Sequence, residues 1–270
     1  MHADERPAVL ILGGTTEGYA LAGALAPRPG LRVISSLAGR TASPRHPPGE
    51  VRIGGFGGAA GLAAYLRAER ITAVIDATHP FAARMGWNAA EACRDSGVPL
   101  LRLERPAWTQ TPGDHWDEVD DWDEAARLLA TQSRRVLLAL GRQELAPFAG
   151  LDHVWFLIRS VDAPNPMPPF AQAEVKLARG PFTLADERDL LRAHRIDTLV
   201  CKNSGGTATD AKLEAARALG VRVVMRRRPE RPLVRVVATV AEAVGWVESQ
   251  EGQGSALDPQ GGSGPLDPIR

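Results

Sequence analysis

Short apolar runs alternate along this chain with stretches in which apolar residues recur every three or four positions. The first run, Val9-Leu10-Ile11-Leu12, enters Gly13-Gly14-Thr15-Thr16-Glu17-Gly18, and a helical pattern follows over Tyr19–Leu25. Strands are predicted at Leu31–Ser36, Val51–Ile53, Ala73–Asp76 and Pro99–Leu103, with helices near Ala59–Ala68, Phe81–Asp95 and Asp123–Thr131. The pattern restarts after Arg135. Strands are predicted there at Val136–Leu140, Val154–Ile158, Thr198–Cys201 and Arg222–Met225, and helices at Leu184–His194, Ala208–Leu219 and Val240–Glu248. The prolines of Ala163–Phe170 exclude regular structure in between. Wholly apolar strands alternating with helices predict an α/β fold, with parallel sheets covered on both faces. Two units of similar size are expected, over residues 1–132 and 133–250. The segment 251–270, dense in Gly, Pro, Ser and Asp, is expected to be a disordered tail.

Composition narrows the function. The chain has 270 residues, is 44% apolar, and balances 32 Lys and Arg against 32 Asp and Glu. No basic excess exists to grip a phosphodiester backbone, so nucleic acid is not an expected partner. No apolar run is long enough to span a bilayer, and Met1–Pro7 has no signal-peptide core, so a cytoplasmic location is expected and membrane association is not. Cys93 and Cys201 lie too far apart in sequence for a ligand pair, and no His-x-x-x-His spacing occurs, so no metal site is expected.

The candidate chemistry sits where predicted strands end, which is where open α/β sheets bind ligands. The Gly13 to Gly18 turn places a helix N-terminus beside glycine backbone, a phosphate site by physics. Its spacing is a variant of Gly-x-Gly-x-x-Gly, and an ordinary βα turn is the alternative. The second strand ends in Ser35 and Ser36, with Arg40 just beyond and no acid, a pattern that favours NADPH over NADH. Gly54-Gly55-Phe56-Gly57-Gly58 suits backbone pressed against a flat ligand, or a mobile loop. In Asp76-Ala77-Thr78-His79-Pro80-Phe81-Ala82, Thr78 and Pro80 fit a helix start, whereas His79 brings a group that exchanges protons near neutral pH. Lys202-Asn203-Ser204-Gly205-Gly206 is a second glycine turn before a helix. It suits a carboxylate or phosphate, or else is simply a capped helix start. Its lysine precedes the glycines, so it is not a P-loop.

Together, Gly13-Gly14-Thr15-x-Glu17, Ser36-Leu37-Ala38-Gly39-Arg40-Thr41, the Gly54–Gly58 loop, Asp76–Ala82 and Lys202–Gly206 resemble the precorrin-6A reductases of cobalamin biosynthesis. Arg105-Pro106-x-Trp108, Arg179-Gly180-Pro181-Phe182 and Ala215-Ala216-Arg217-x-Leu219-Gly220 fit as well, and the resemblance covers roughly residues 8–248. Met85-Gly86-Trp87 departs from the smaller, more polar residues of that pattern.

The resemblance implies two Rossmann-like, doubly wound domains with the active site between them. It also implies hydride transfer from NADPH to the precorrin-6A macrocycle, giving precorrin-6B, with no metal or flavin. Gly13, Gly14, Thr15, Thr16 and Glu17 are then expected around the pyrophosphate, Ser36, Arg40 and Thr41 at the 2′-phosphate, and Thr78 against the cofactor. The carboxylates of the macrocycle are assigned to Arg142, Arg159, Lys202, Ser204, Gly205, Gly206 and Lys212, and its ring to Gly55, Phe56 and Phe81. His79 is the expected proton donor, oriented by Asp76. Two rivals stand beside this reading. One is an NADPH reductase of another substrate, although neither Tyr19 nor Tyr65 has the lysine four residues on that short-chain reductases use. The other is a non-catalytic nucleotide-sensing module.

Overall fold

The computed structural model describes residues 6–39, 46–207 and 210–254. In chain order the first elements are β1 (Ala8–Leu12), α1 (Thr16–Leu25), β2 (Arg32–Leu37), β3 (Glu50–Ile53), α2 (Ala59–Ala68), β4 (Ile71–Asp76), α3 (Ala83–Ser96) and β5 (Leu100–Leu103). Next come β6 (Trp116–Val119), α4 (Trp122–Gln132), β7 (Arg135–Leu138), short 3-10 turns at Arg142–Glu144 and Ala146–Phe148, β8 (Trp155–Ser160) and β9 (Ala173–Leu177). The chain continues through α5 (Leu184–Ala193), β10 (Thr198–Lys202), α6 (Ala211–Leu219), β11 (Arg222–Arg226), β12 (Arg235–Val237) and α7 (Val240–Gly254).

The strands form two six-stranded sheets, ordered β3-β2-β1-β4-β5-β12 and β9-β8-β7-β10-β11-β6, and every pairing is parallel. Each order reverses direction once at its centre, at β1/β4 and at β7/β10, so each sheet is doubly wound with a crevice at that switch. β1 is Ala-Val-Leu-Ile-Leu and buried along its length, because a central parallel strand is covered on both faces. Leu21, Leu25, Trp246 and Val247 of α1 and α7 cover one face of the first sheet, and Leu62, Leu66, Ala89 and Ala92 of α2 and α3 the other. In the second sheet, Trp122 and Leu129 of α4 pack with Phe148 on one face, while Leu190, Leu191, Leu213 and Ala216 of α5 and α6 fill the other. Fully burying such a side chain contributes about 1.5–3 kcal/mol.

The expected change of unit between residues 132 and 133 does not match the sheets. β6 and α4 precede that point yet belong to the second sheet, where β6 pairs with β11. β12 and α7 come last in the chain and complete the first, where β12 pairs with β5. The chain therefore crosses between sheets twice, between β5 and β6 and between β11 and β12. Of the expected tail, residues 251–254 continue α7, and 255–270 lie outside the described residues.

Candidate active site

The first βα turn is held by its own polar groups. Gly13 N–H donates to the Ser36 carbonyl (3.0 Å). Thr15 caps α1, its Oγ1 accepting from Gly18 N–H (3.2 Å) and donating to the Ala77 carbonyl (2.8 Å). Its hydroxyl thus ties the turn to the residue that follows β4. Thr16 is exposed, and Glu17 pairs with Arg105 (2.8 Å) on the first crossing segment. The Glu17 carboxylate, expected around the pyrophosphate, is engaged by this bridge.

The turn nevertheless fits a dinucleotide through its backbone. The first-turn N–H groups of α1 have no intrahelical acceptors. A Cβ on Gly14, Gly54, Gly55, Gly57 or Gly58 would meet nothing within 4 Å, so the turn and the β3–α2 loop border open space. At the end of β2, Ser36 is buried beside Arg52, whose Nη1 lies 3.3 Å from Ser36 Oγ, and Ser35 Oγ is buried with no hydrogen-bond partner. Arg40 and Thr41 lie outside the described residues.

At the end of β4, Asp76 is 1% exposed. One oxygen accepts from Thr78 N–H (3.1 Å) and Thr78 Oγ1 (2.6 Å), while the other pairs with Arg231 and faces Arg102 Nε at 3.8 Å. Arg231 also reaches Glu104 (2.9 Å), which in turn pairs with Arg228 (3.2 Å). Asp76 thus makes no bond to His79, and its expected orienting role is not formed. Instead Phe81 N–H donates to His79 Nδ1 (3.2 Å). Accepting that bond places the neutral ring's proton on Nε2. Burial, and then the charges of Lys202, Arg105, Arg228 and Arg231, push His79 down to about 3. At neutral pH its ring is therefore uncharged, with Nε2–H as its donor.

The second sheet contributes its own strand ends. Lys202, at the end of β10, pairs with Glu144 (2.6 Å) and lies 5.3 Å from the Phe81 ring centroid. Arg226, at the end of β11, is 5.8 Å from the same ring and 3.8 Å from Glu144. Trp122 Nε1 donates to Glu144 (3.2 Å), and Arg142 is exposed at the start of the same 3-10 turn. Phe81 of the first sheet's loop therefore stands against cations of the second.

The Ser204–Gly206 turn faces the first crossing segment. A Cβ on Gly205 (φ +68°) would lie 2.0 Å from the Pro106 carbonyl, and one on Gly206 (φ +76°) 2.4 Å from Arg105 Cδ. The Ser204 carbonyl accepts from Arg105 Nε (2.8 Å). Asn203 exchanges hydrogen bonds with the Trp108 backbone at 2.8 and 2.9 Å, and Trp108 Nε1 donates to the Gly206 carbonyl (2.9 Å). Close docking of the crossing segment accounts for the need for glycine at these two positions.

Other expected substrate residues are taken up elsewhere. Arg159 is buried, paired with buried Glu187 (2.8 Å) and lying over Phe182. Lys212 is buried 4.4 Å from the Trp108 ring centroid, and burial lowers its pKa. Phe56 packs edge-on against Tyr65 with the Arg52 guanidinium 3.7 Å from its centroid, and the Gly55 carbonyl accepts from Arg52 (2.7 Å). The sequence reading missed Arg52, Glu144, Arg226, Arg228 and Arg231. The arginine cluster from Arg226 to Arg231, directly after a predicted strand, was the available signal.

Residues 8–248 match the family model described as precorrin-6x reductase CbiJ/CobK. The precorrin-6A reductase of Rhodococcus erythropolis is 54% identical over 241 residues, covering 88% of this chain and 96% of that protein. That of Sinorhizobium sp. is 49% identical over 242 residues, covering 90% and 93%. A solved structure described as CobK precorrin-6A reductase matches with a TM-score of 0.85 at 44% identity, over 90% of this chain and 97% of that one.

Proposed function

The chain belongs to the precorrin-6x reductase family, and from that premise we propose that it reduces the macrocycle of precorrin-6A to precorrin-6B with NADPH. It is an oxidoreductase acting on a carbon–carbon double bond of a tetrapyrrole. That chemistry implies a nicotinamide cofactor, which supplies the hydride. The choice of NADPH over NADH is supported by a second strand that carries Ser35 and Ser36 before its last residue, Leu37, with no acid at its end and Arg40 following in sequence.

The observation that carries the proposal is Phe81, set between the strand ends of both sheets with Lys202 and Arg226 on it. A flat, carboxylate-rich ring needs an apolar surface bordered by cations, and this junction supplies both. Gly13, Gly14 and the first turn of α1 hold the cofactor's phosphates. Lys202, Arg142 and Arg226 receive carboxylates, while Phe81 lies against the ring. His79 offers its Nε2–H as a neutral donor that orients cofactor or substrate, and Asp76 fixes Thr78 and Arg231 around it. The protein mainly supplies a near-attack pose and electrostatics.

The test is NADPH oxidation by the purified protein with precorrin-6A, followed at the near-ultraviolet band of the cofactor. Oxidation coupled to a change in the tetrapyrrole spectrum is expected. Oxidation only with the cobalt-loaded macrocycle would reassign the substrate. Failure with both, despite tight NADPH binding, would favour a nucleotide-sensing module. Arg40→Ala is expected to raise the KM for NADPH far more than that for NADH, and equal effects would remove Arg40 from the site.

A further inference from the structure

Among the described residues, Arg52 is a cation with no carboxylate partner. It lies on β3, where it is the register partner of Ser36 at the end of β2. Its Nη1 contacts the Gly54 carbonyl (2.7 Å) and Ser36 Oγ (3.3 Å), and its Nη2 the Gly55 carbonyl (2.7 Å). The guanidinium rests 3.7 Å from the Phe56 centroid and 5.2 Å from that of Tyr65. Among the described residues, no acidic side chain forms an ion pair with it and nothing else accepts from it. By contrast Arg32, on the neighbouring strand, is paired with both Glu50 and Glu69. A half-buried guanidinium held rigidly by neutral groups keeps its full charge for an anion.

The position of that charge identifies the anion. In a doubly wound sheet, the end of the second strand meets the adenosine ribose. Ser36 and Arg52 stand side by side there, next to glycines whose Cβ positions border open space. The carbonyls of Gly54 and Gly55 hold the guanidinium in place, and the aromatic pair beneath it limits its motion. We infer that Arg52 is a 2′-phosphate-reading residue of this protein, a specificity determinant for the phosphorylated dinucleotide. The inference rests on the NADPH reading above and adds a residue on the scaffold of β3, distinct from Arg40, which follows β2 in sequence.

The test is equilibrium binding of NADP⁺, NAD⁺, 2′,5′-ADP and 5′-AMP to the full chain and to Arg52→Met, by calorimetry. The methionine keeps an apolar stem on Phe56. Loss of a charge-assisted contact is expected to raise the Kd for NADP⁺ and 2′,5′-ADP about ten- to a hundred-fold. The Kd values for NAD⁺ and 5′-AMP should stay within about two-fold, because neither carries the 2′-phosphate. Arg52→Lys, which keeps the charge without the planar fork, should fall between parent and methionine variant; it decides the question if the methionine variant does not fold. Equal weakening of all four ligands would show that Arg52 only braces the glycine loop and would overturn the inference, as would no change. A parent protein with no preference for NADP⁺ over NAD⁺ overturns the NADPH reading itself, and this is seen before any substitution is made.

Discussion

Arg231, on the segment that returns the chain to the first sheet, closes on Asp76 at the end of β4, with only 6% and 2% of the two side chains exposed. The two residues are 155 positions apart. Their pairing fixes the second crossing against the strand end that carries Thr78, His79 and Phe81. Gly86 of α3 makes room for it, because a Cβ there would lie 2.6 Å from Arg231 Nη2. The Met85-Gly86-Trp87 departure seen in the sequence thus holds at its centre a residue the ion pair needs.

Removing one partner of a buried pair leaves an uncompensated charge and costs about 3–5 kcal/mol. Asp76→Ala and Arg231→Met are each expected to lose stability of that order in urea unfolding. The double variant should lose less than the sum. Additive losses would show that the two residues act independently.

His79 predicts an acid sensitivity. Its folded pKa, about 3, lies below its ordinary 6.5. Between those values the unfolded chain binds a proton that the folded chain refuses, so stability falls as pH drops from 6.5 toward 3. His79→Asn retains a group able to accept from Phe81 N–H and removes the titration. The urea midpoint of the parent should fall between pH 7 and pH 5 by more than that of the variant. An activity profile with no ionisation near 6.5 attributable to His79 is expected as well, and one that His79→Asn abolishes would restore it as a charged acid.

Gly205 and Gly55 should separate docking from ligand contact. Gly205→Ala sets a Cβ 2.0 Å from the Pro106 carbonyl at a positive φ. Strain of this kind costs about 1–3 kcal/mol. Gly55→Ala meets nothing within 4 Å, and its thermal stability should stay within about 0.5 kcal/mol of the parent. Similar losses in both would contradict the close docking of the crossing segment.

Lys202 and Glu144 make a further pair of opposed expectations. Lys202→Ala should raise the KM for the tetrapyrrole roughly tenfold while cofactor affinity stays unchanged. Glu144→Gln should lower that KM, because Lys202 no longer has to leave a carboxylate to meet the substrate's. Steady-state kinetics of both variants decide the point, and an unchanged KM in both would make the pair purely structural.

Much of the fold was legible because β1, β2, β4, β7, β8, β10 and β11 are apolar runs that only a doubly covered parallel sheet accommodates. The strands that escaped notice lie at sheet edges, where burial imposes less pattern. β9 is exposed throughout, β12 has three residues, and the Asp-Glu centre of β6 hides its strand character. Missing β6 and β12 displaced the boundary between the units. For the site, the motif reading located the glycine turns, His79, Phe81 and Lys202. It could not tell a charge aimed at a ligand from one already answered inside the protein. Arg159 and Lys212 look like free cations in sequence, whereas Glu187 and Trp108 that occupy them are distant in the chain. Asp76 is only three positions from His79 in sequence, yet its partner arrives with the second crossing.

The exchange of end strands sets an order of assembly. All six strands of the second sheet leave the ribosome before β12 and α7 do, so that sheet can close on itself while the first, begun earlier, still lacks an edge strand and a covering helix. Until α7 arrives, the apolar surface that Trp246 and Val247 will cover is open to solvent. The half of the protein that is translated first is therefore the last to be sealed, and a nascent chain should acquire protease resistance in its middle before its beginning.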